Sequence, residues 1–583
     1  MTDPQRPEIP DIEDEMSMDW GSDVAAEMLR RLDIEYITLN PGASFRGFHD
    51  SLVNYLGNHD PQILLCLHED HAVAIAHGYA KATGKPMAVA LHANVGLMHA
   101  LLGIFNAWCD RVPMFVIGAN GPFDTTRRRP WIDWIHTQKD QGALLRNSVK
   151  WDDEPSSAAA LVESMLRANI LMRTPPQGPV YICLDVELQE SKLCDPVEIP
   201  AVERFQPAQN PMVSPQVVAT VADALVAAQR PVILVGRSSR SPVAWDQRVR
   251  LAELSGACVA TDLKSPAAFP TDHPLHLSGL TLRISKQLIA AVRNADLVLL
   301  LDWIDSASLL REAGGEISAR IINCSLDTYV HSGASMEHYG LAPADISVLA
   351  DPESFVADLL SEVDSRLNSR PKWVDSANAG VQPAPRQNSK SDDDGIAPSD
   401  IGLVLNRFRD KHKLTLARVP IAWEGDTYAF EEPLDFLGYD GGGGLSSGPG
   451  NTIGAALALR DTDRRVIGIL GDGDFMQAAS ALWTAARYAI PALFIISNNR
   501  SNYTDVAHQK TMARQRARPL QNSGIGQHID DPAIDLAALA VAQGVDAEGP
   551  ITRYGDLVPA LEKALNVVAQ GRPYLLDIRV DRD

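Results

Sequence analysis

Residues 465–470 (RVIGIL) and 492–497 (ALFIIS) are two uninterrupted apolar runs, separated by a stretch, 474–488, with helical apolar spacing. Runs of this kind read as strands buried on both faces, and two of them joined by a helix read as a parallel crossover. Such a crossover is right-handed and returns the chain beside its start, so both strands end on one edge of the sheet. Directly after them come Gly471-Asp472-Gly473 and Asn498-Asn499. The C-terminal edge of a parallel sheet is where α/β proteins bind ligands. A carboxylate and an amide oxygen there suit a hard divalent cation, and Mg2+ takes few protein oxygens together with those of a phosphate.

The same alternation organises the rest of the chain. In 16–190 the runs IEYITLN, QILLCLH, PMAVALH, VPMFVIG and PVYICLD alternate with helical stretches. A second block, 205–364, holds PVILVG, CVATD, ADLVLLLD, ARIINCSLD and DISVLAD. Residues 365–399 turn polar and rich in Pro, Ser, Asn and Asp, the composition of a mobile linker. The third block, 400–583, carries the GDG and NN motifs. The predicted fold class is α/β, with three domains built on parallel sheets. The middle block offers one glycine after its first strand (PVILVGRSSRS) and no G-x-G-x-x-G. A dinucleotide is not expected there, and the domain reads as a spacer.

A chain of 583 residues is too long for one core, which agrees with several domains. The formal net charge of −22 argues against nucleic acid or an anionic membrane as partner. The six cysteines are dispersed and form no CxxC pair, so they read as buried thiols of a reducing compartment. An acidic, proline-bearing start and the lack of a long apolar run point to a cytoplasmic protein.

The GDG…NN arrangement resembles the signature of the thiamine diphosphate-dependent enzymes. That resemblance implies the cofactors thiamine diphosphate and Mg2+, with the metal held by Asp472, Asn499 and the Ser501 carbonyl. Gly471, Gly473 and Asp474 complete the diphosphate-binding segment. The glycine-rich stretch GYDGGGGLSSGPGNTIGAALAL matches the family's segment before that motif. It implies that Leu445 wedges between the cofactor's two rings and that the Gly443 carbonyl meets the pyrimidine amine. The segment ILLCLHEDHAVAIAHGYAKATGKPMAVALH resembles the pyrimidine-binding domain, and places Glu69 where the family keeps its proton-activating glutamate. The implied arrangement is a pyrimidine-binding domain, a spacer and a diphosphate-binding domain. Because Glu69 and Asp472 fall in different domains, the resemblance implies a homodimer or homotetramer with active sites at the subunit interface.

Within the family, ALHANVGLMHALLGIFNAW, VKWDDEP and SALWTAARYAIPALFIISNN are similar to the benzoylformate decarboxylase group. The implied function is a lyase that decarboxylates a 2-oxo acid to an aldehyde through a C2 ylide and an enamine. A carboligase of the acetolactate synthase type uses the same enamine and is the alternative. An inactive cofactor-binding regulatory subunit is the alternative of another class. His92 is the implied proton relay, as an imidazole titrating near neutrality suits that task. Asn40 and Ser44 are the implied substrate contacts, with Ser44 replacing a serine whose place Ala43 takes. The group's second histidine has no counterpart in LLLDWIDSASLLREAG, and His508 is the expected substitute. With it, Thr504 and Asp505 are expected to give a polar pocket wall.

Overall fold

The computed structural model of the chain describes residues 8–11, 16–277, 281–314, 317–327, 340–367 and 390–582. Among these, sixteen strands form three parallel sheets. The N-terminal sheet holds Tyr36–Leu39 (β1), Gln62–Leu65 (β2), Ala88–Ala90 (β3), Met114–Asn120 (β4), Asp152–Asp153 (β5) and Pro179–Asp185 (β6), in the order β2-β1-β3-β4-β6-β5. The middle sheet holds Pro231–Val235 (β7), Cys258–Thr261 (β8), Leu297–Leu301 (β9), Arg320–Cys324 (β10) and Ile346–Val348 (β11), in the order β11-β10-β9-β7-β8. The C-terminal sheet holds Lys413–Arg418 (β12), Arg464–Gly471 (β13), Ala492–Asn498 (β14), Asp546–Ile551 (β15) and Tyr574–Arg579 (β16), in the order β12-β13-β14-β16-β15. Central strands such as β4, β6 and β14 are buried along their whole length because helices cover both faces. This is the three-domain α/β architecture that the strand pattern predicts.

Several local expectations need correction. The helix expected over 474–488 is two short ones, Asp472–Gln477 and Leu482–Arg487, with Ala478 leaving the helical region at φ −138°. The second piece turns toward the N-terminal domain, where Thr484 Oγ1 donates to the Leu65 carbonyl at 2.9 Å and the Tyr488 hydroxyl accepts from the Leu65 N–H at 2.9 Å. Both bonds cap the exposed end of edge strand β2. Residues 368–389 of the expected linker lie outside the described residues. Its flanks are ordered: the Pro352–Leu367 helix is anchored by buried Phe355, Val356, Leu359 and Val363. On the other side, Lys390 pairs with Asp400 at 2.6 Å just before and within the Pro398–Asn406 helix. All six cysteines are free, but Cys194 is exposed and Cys258 half-buried. No helix among the described residues is long and apolar enough to cross a membrane.

The outer domains meet where the Glu69–Thr83 helix crosses the Ser447–Leu459 helix. Glycines make the crossing close: a Cβ on Gly78 would overlap the Asn451 backbone, one on Gly450 would strike Ala74, and one on Gly454 would strike the Ile75 carbonyl. The middle domain docks on this pair through polar contacts. Arg240 donates to the Lys81 carbonyl at 2.9 and 2.6 Å, and Arg111 pairs with Asp327 at 2.6 Å.

Because backbone atoms face Gly454, the crossing has no flexible side chain to yield. Gly454→Val is expected to destabilise the chain by about 3 kcal/mol or more, read as a lower urea midpoint. A midpoint equal to that of the parent chain would contradict the close crossing.

Candidate active site

Parallel register sets the geometry of the C-terminal edge. Gly471 pairs with Ser497, so Asp472 follows β13 level with Asn498, the last residue of β14, and Asn499 after it. The two asparagines divide the work. Asn498 Nδ2 donates to Asp577 at 2.8 Å and its Oδ1 accepts from the Arg500 N–H at 3.2 Å, which fixes the turn. Asn499 Oδ1 accepts from the Ser501 N–H at 2.9 Å and folds the loop beside Asp472. Arg500 sits at φ +55°, a conformation a non-glycine residue adopts only when its surroundings demand it.

Asp472 is 4% exposed, and burial raises its carboxyl to about 6. The groups opposing that rise are the backbone N–H groups of Asp472, Gly473, Ser501 and Asn499, none of which carries a charge. A buried carboxylate with only neutral partners is short of positive charge. A Cβ on neighbouring Gly471 would meet open space. The donor set of carboxylate, amide oxygen and loop carbonyl therefore fits a divalent cation bridging to phosphate.

Asp474 is placed differently from its neighbours in the motif. Its carboxylate accepts from the Ser446 N–H at 2.7 Å and from Arg418 Nη2 at 3.4 Å, anchoring the glycine-rich loop from behind. Gly441, Gly442 and Gly444 of that loop press on the Ala93–Cys109 helix of the N-terminal domain. Cβ atoms there would overlap Cys109 and Asp110, Phe105 and Asn106, and Leu102. Gly443 alone is exposed, at φ +65° with open space about it, and half-buried Leu445 follows. Ser446 Oγ closes the join by donating to Asp70 at 2.7 Å.

On the N-terminal side, Glu69 opens its helix and is 5% exposed. Asn40 Nδ2 lies 3.0 Å from Oε1 and His99 Nδ1 lies 3.0 Å from Oε2. Burial alone would raise this carboxyl, but the Asn40 and His99 hydrogen bonds outweigh it and hold it below its usual range. His68 stacks on His99 at 4.7 Å between ring centroids. His92 caps the Ala93–Cys109 helix, and Ala93 takes φ +44° at the tight elbow after β3. Ser44 Oγ bonds His92 Nδ1 at 2.8 Å and accepts from the Ala93 N–H at 3.0 Å. The structure thus brings Asn40, Ser44, Glu69 and His92 into one cluster.

Thr504, Asp505 and His508 are not brought to that cluster within the chain. They lie on the Tyr503–Gln515 helix, with Asp505 and His508 exposed. His508 stands 3.9 Å from Asp505 and 3.5 Å from Arg283 of the middle domain.

Sequence reasoning missed His99 and His136. His99 was legible, because positions 92, 96 and 99 fall on one helical face, with Gly96 leaving room over Glu69. His136 closes on the His92 ring at 4.7 Å between centroids and 83° between planes. Also missed was a buried ionic cluster behind the loop. Arg418, 1% exposed, bonds Asp440 at 2.6 Å and Tyr439 at 3.0 Å. Asn451 donates to Asp440 at 2.7 Å, Ser447 donates to it as well, and Lys81 stands 3.6 Å away. His77 and Lys81 face Asp110 at 3.0 and 3.4 Å. His77, Asp110 and Asp440 cluster as metal ligands can, but the Lys81 ammonium already supplies a cation there.

With this geometry in view, three family models match the chain. They are the thiamine pyrophosphate enzyme N-terminal TPP binding domain over residues 19–144, its central domain over 218–359 and its C-terminal TPP binding domain over 421–578. A benzoylformate decarboxylase of Pseudomonas aeruginosa is 26% identical over 559 residues, covering 95% of this chain and 97% of that protein. A probable acetolactate synthase large subunit of Methanocaldococcus jannaschii is 25% identical over 578 residues, covering 96% and 92%. Among solved structures, the thiamine diphosphate-dependent 4-hydroxybenzoylformate decarboxylase of Rhodococcus jostii RHA1 shares the fold with a TM-score of 0.77 at 23% identity, covering 97% of this chain and 99% of that one.

The ionic cluster gives a pH-dependent test. Burial works against the charge on Asp440, but Arg418, Lys81, His77 and the Ser447 hydrogen bond together more than offset it and hold the carboxyl at about 2. A carboxyl depressed on folding adds stability that is fully present above its unfolded value of roughly 4 and is lost as pH falls through about 2. Asp440→Asn is expected to cost about 3–5 kcal/mol at pH 7, by leaving Arg418 underpaired, and to flatten the dependence of the urea midpoint below pH 4. An unchanged midpoint at pH 7 would contradict the role given to this pair.

Proposed function

The chain belongs to the thiamine pyrophosphate enzymes, in the group that holds decarboxylases and acetolactate synthases, and from that premise we propose that it is a Mg2+-dependent lyase converting a 2-oxo acid into an aldehyde and CO2. The observation that carries the decarboxylase reading is the cluster of Glu69 and His92. One is a buried carboxylate with both oxygens hydrogen-bonded, and the other is an imidazole held at Nδ1 by Ser44.

Bound thiamine diphosphate supplies a thiazolium ring that takes up the electrons left when CO2 departs. Asp472, Asn499 Oδ1 and the Ser501 carbonyl would hold Mg2+ and through it the diphosphate. The Gly443 carbonyl and Leu445 would orient the aminopyrimidine end. Glu69 would accept the hydrogen bond of that ring and take part in moving its proton. Conversion of a 2-oxo acid anion to aldehyde and CO2 consumes one proton, which goes to the carbon that loses the carboxylate. His92 is suited to deliver it from Nε2, the nitrogen left over when Nδ1 bonds Ser44. Asn40 and Ser44 would line the substrate side. A family resemblance leaves the substrate open, so its identity must come from assay.

The reading extends to assembly as a homodimer or homotetramer. Val95, Met98 and Leu102 are 37%, 48% and 42% exposed along one helix, and Leu67, 46% exposed, stands two residues before Glu69. An apolar strip beside a polar site is suited to cover by a second copy.

Glu69→Gln is expected to lower aldehyde formation roughly 10²–10⁴-fold while the protein still binds the cofactor. The check is aldehyde release over a panel of 2-oxo acids from pyruvate to substituted benzoylformates. Full turnover in this variant would remove Glu69 from the mechanism. Acyloin as the main product would favour carboligation instead.

A further inference from the structure

The benzoylformate decarboxylase pattern calls for two histidines, and among the described residues neither His508 nor a histidine of the middle domain meets the His92 ring. The structure brings His136. It ends the short Asp133–His136 helix, in a segment that the Asn94 amide ties down by donating to the Ile135 carbonyl at 3.2 Å. Beneath, Arg129 Nη2 bonds Asp133 at 2.8 Å, and the Asp133 side chain is buried. The segment is thus anchored at both ends of the helix, and its last ring stands edge-on to His92. No hydrogen bond joins the two rings; what they share is proximity.

Resting on the decarboxylase reading of the site, we propose that His136 is a positioning residue whose ring, edge-on to His92, tunes how readily His92 takes up and gives its proton. That proton is the one delivered to the carbon that loses CO2. In the balanced step the C–C bond to the carboxylate breaks, a C–H bond forms, and the imidazolium that gave the proton is restored from solvent. A charged ring at 4.7 Å between centroids disfavours the charged form of His92.

The polar groups facing His92 come from three elements. Glu69 on its helix favours the charged form, whereas His136 and Arg129 on the anchored segment oppose it; Ser44 is neutral. Burial is the largest influence on His92 and lowers it, with the His136 charge next.

The test reads His92 itself. Deuterium exchange at the imidazole C2–H, followed by mass spectrometry of the cofactor-free protein, gives its midpoint whatever the enzyme catalyses. In His136→Gln the like charge is gone, and the His92 midpoint is expected to rise by about half a pH unit or more. In His136→Lys the charge is permanent, and the midpoint is expected to fall. A purely structural role would not reverse sign between these two variants. The pH profile of kcat for aldehyde formation should follow the same two shifts. A His92 midpoint unmoved in both variants would overturn the pairing. Midpoints that move while the kcat profile stays fixed would overturn His92 as proton donor, and with it that part of the decarboxylase reading.

Discussion

The close crossing of the Glu69–Thr83 and Ser447–Leu459 helices is the constraint on which the remainder of the structure depends. Backbone meets backbone there, so the relative position of the two outer domains is set to within the tolerance of van der Waals contact. The N-termini of both helices then lie at one join, where Ser446 bonds Asp70 and the glycine-rich loop lies along the Ala93–Cys109 helix. Glu69, Gly443 and Leu445 owe their placement to this contact.

Two buried aspartates near the join show how the fold handles charge. Asp440 is surrounded by Arg418, Lys81, Asn451 and Ser447, and burial is more than offset. Asp472 has only backbone N–H groups, and burial prevails. The first carboxylate is complete within the chain and serves packing. The second has no charged group among those that oppose burial, at the sheet edge where α/β folds bind ligands. Such a difference separates a structural carboxylate from a ligand site more sharply than sequence position does, since Asp474 in the same motif is engaged with Arg418 and Ser446.

Strands and domain order were legible in the sequence because buried parallel strands leave continuous apolar runs, as in RVIGIL and ALFIIS. The meeting of Asn40, Ser44, Glu69 and His92 was legible only through family resemblance, since their contacts span up to 49 positions. The break at Ala478 was not legible, because it answers to bonds with Leu65 in another domain. Nor was the reason for the glycine run, which is set by a helix more than 300 residues away in the chain. His136 escaped for the same cause: its segment carries no motif, and only the fold brings it to His92.

We propose that Asp472 and the loop after β14 form a cation-dependent site for the diphosphate of the cofactor. Isothermal titration of the cofactor-free protein with thiamine diphosphate, in Mg2+ and again in excess chelator, tests it directly. The expected result is saturable binding in Mg2+ that weakens at least about 100-fold in chelator, as when an ionic bridge is lost. Equal affinity in both conditions, or no binding in either, would contradict it.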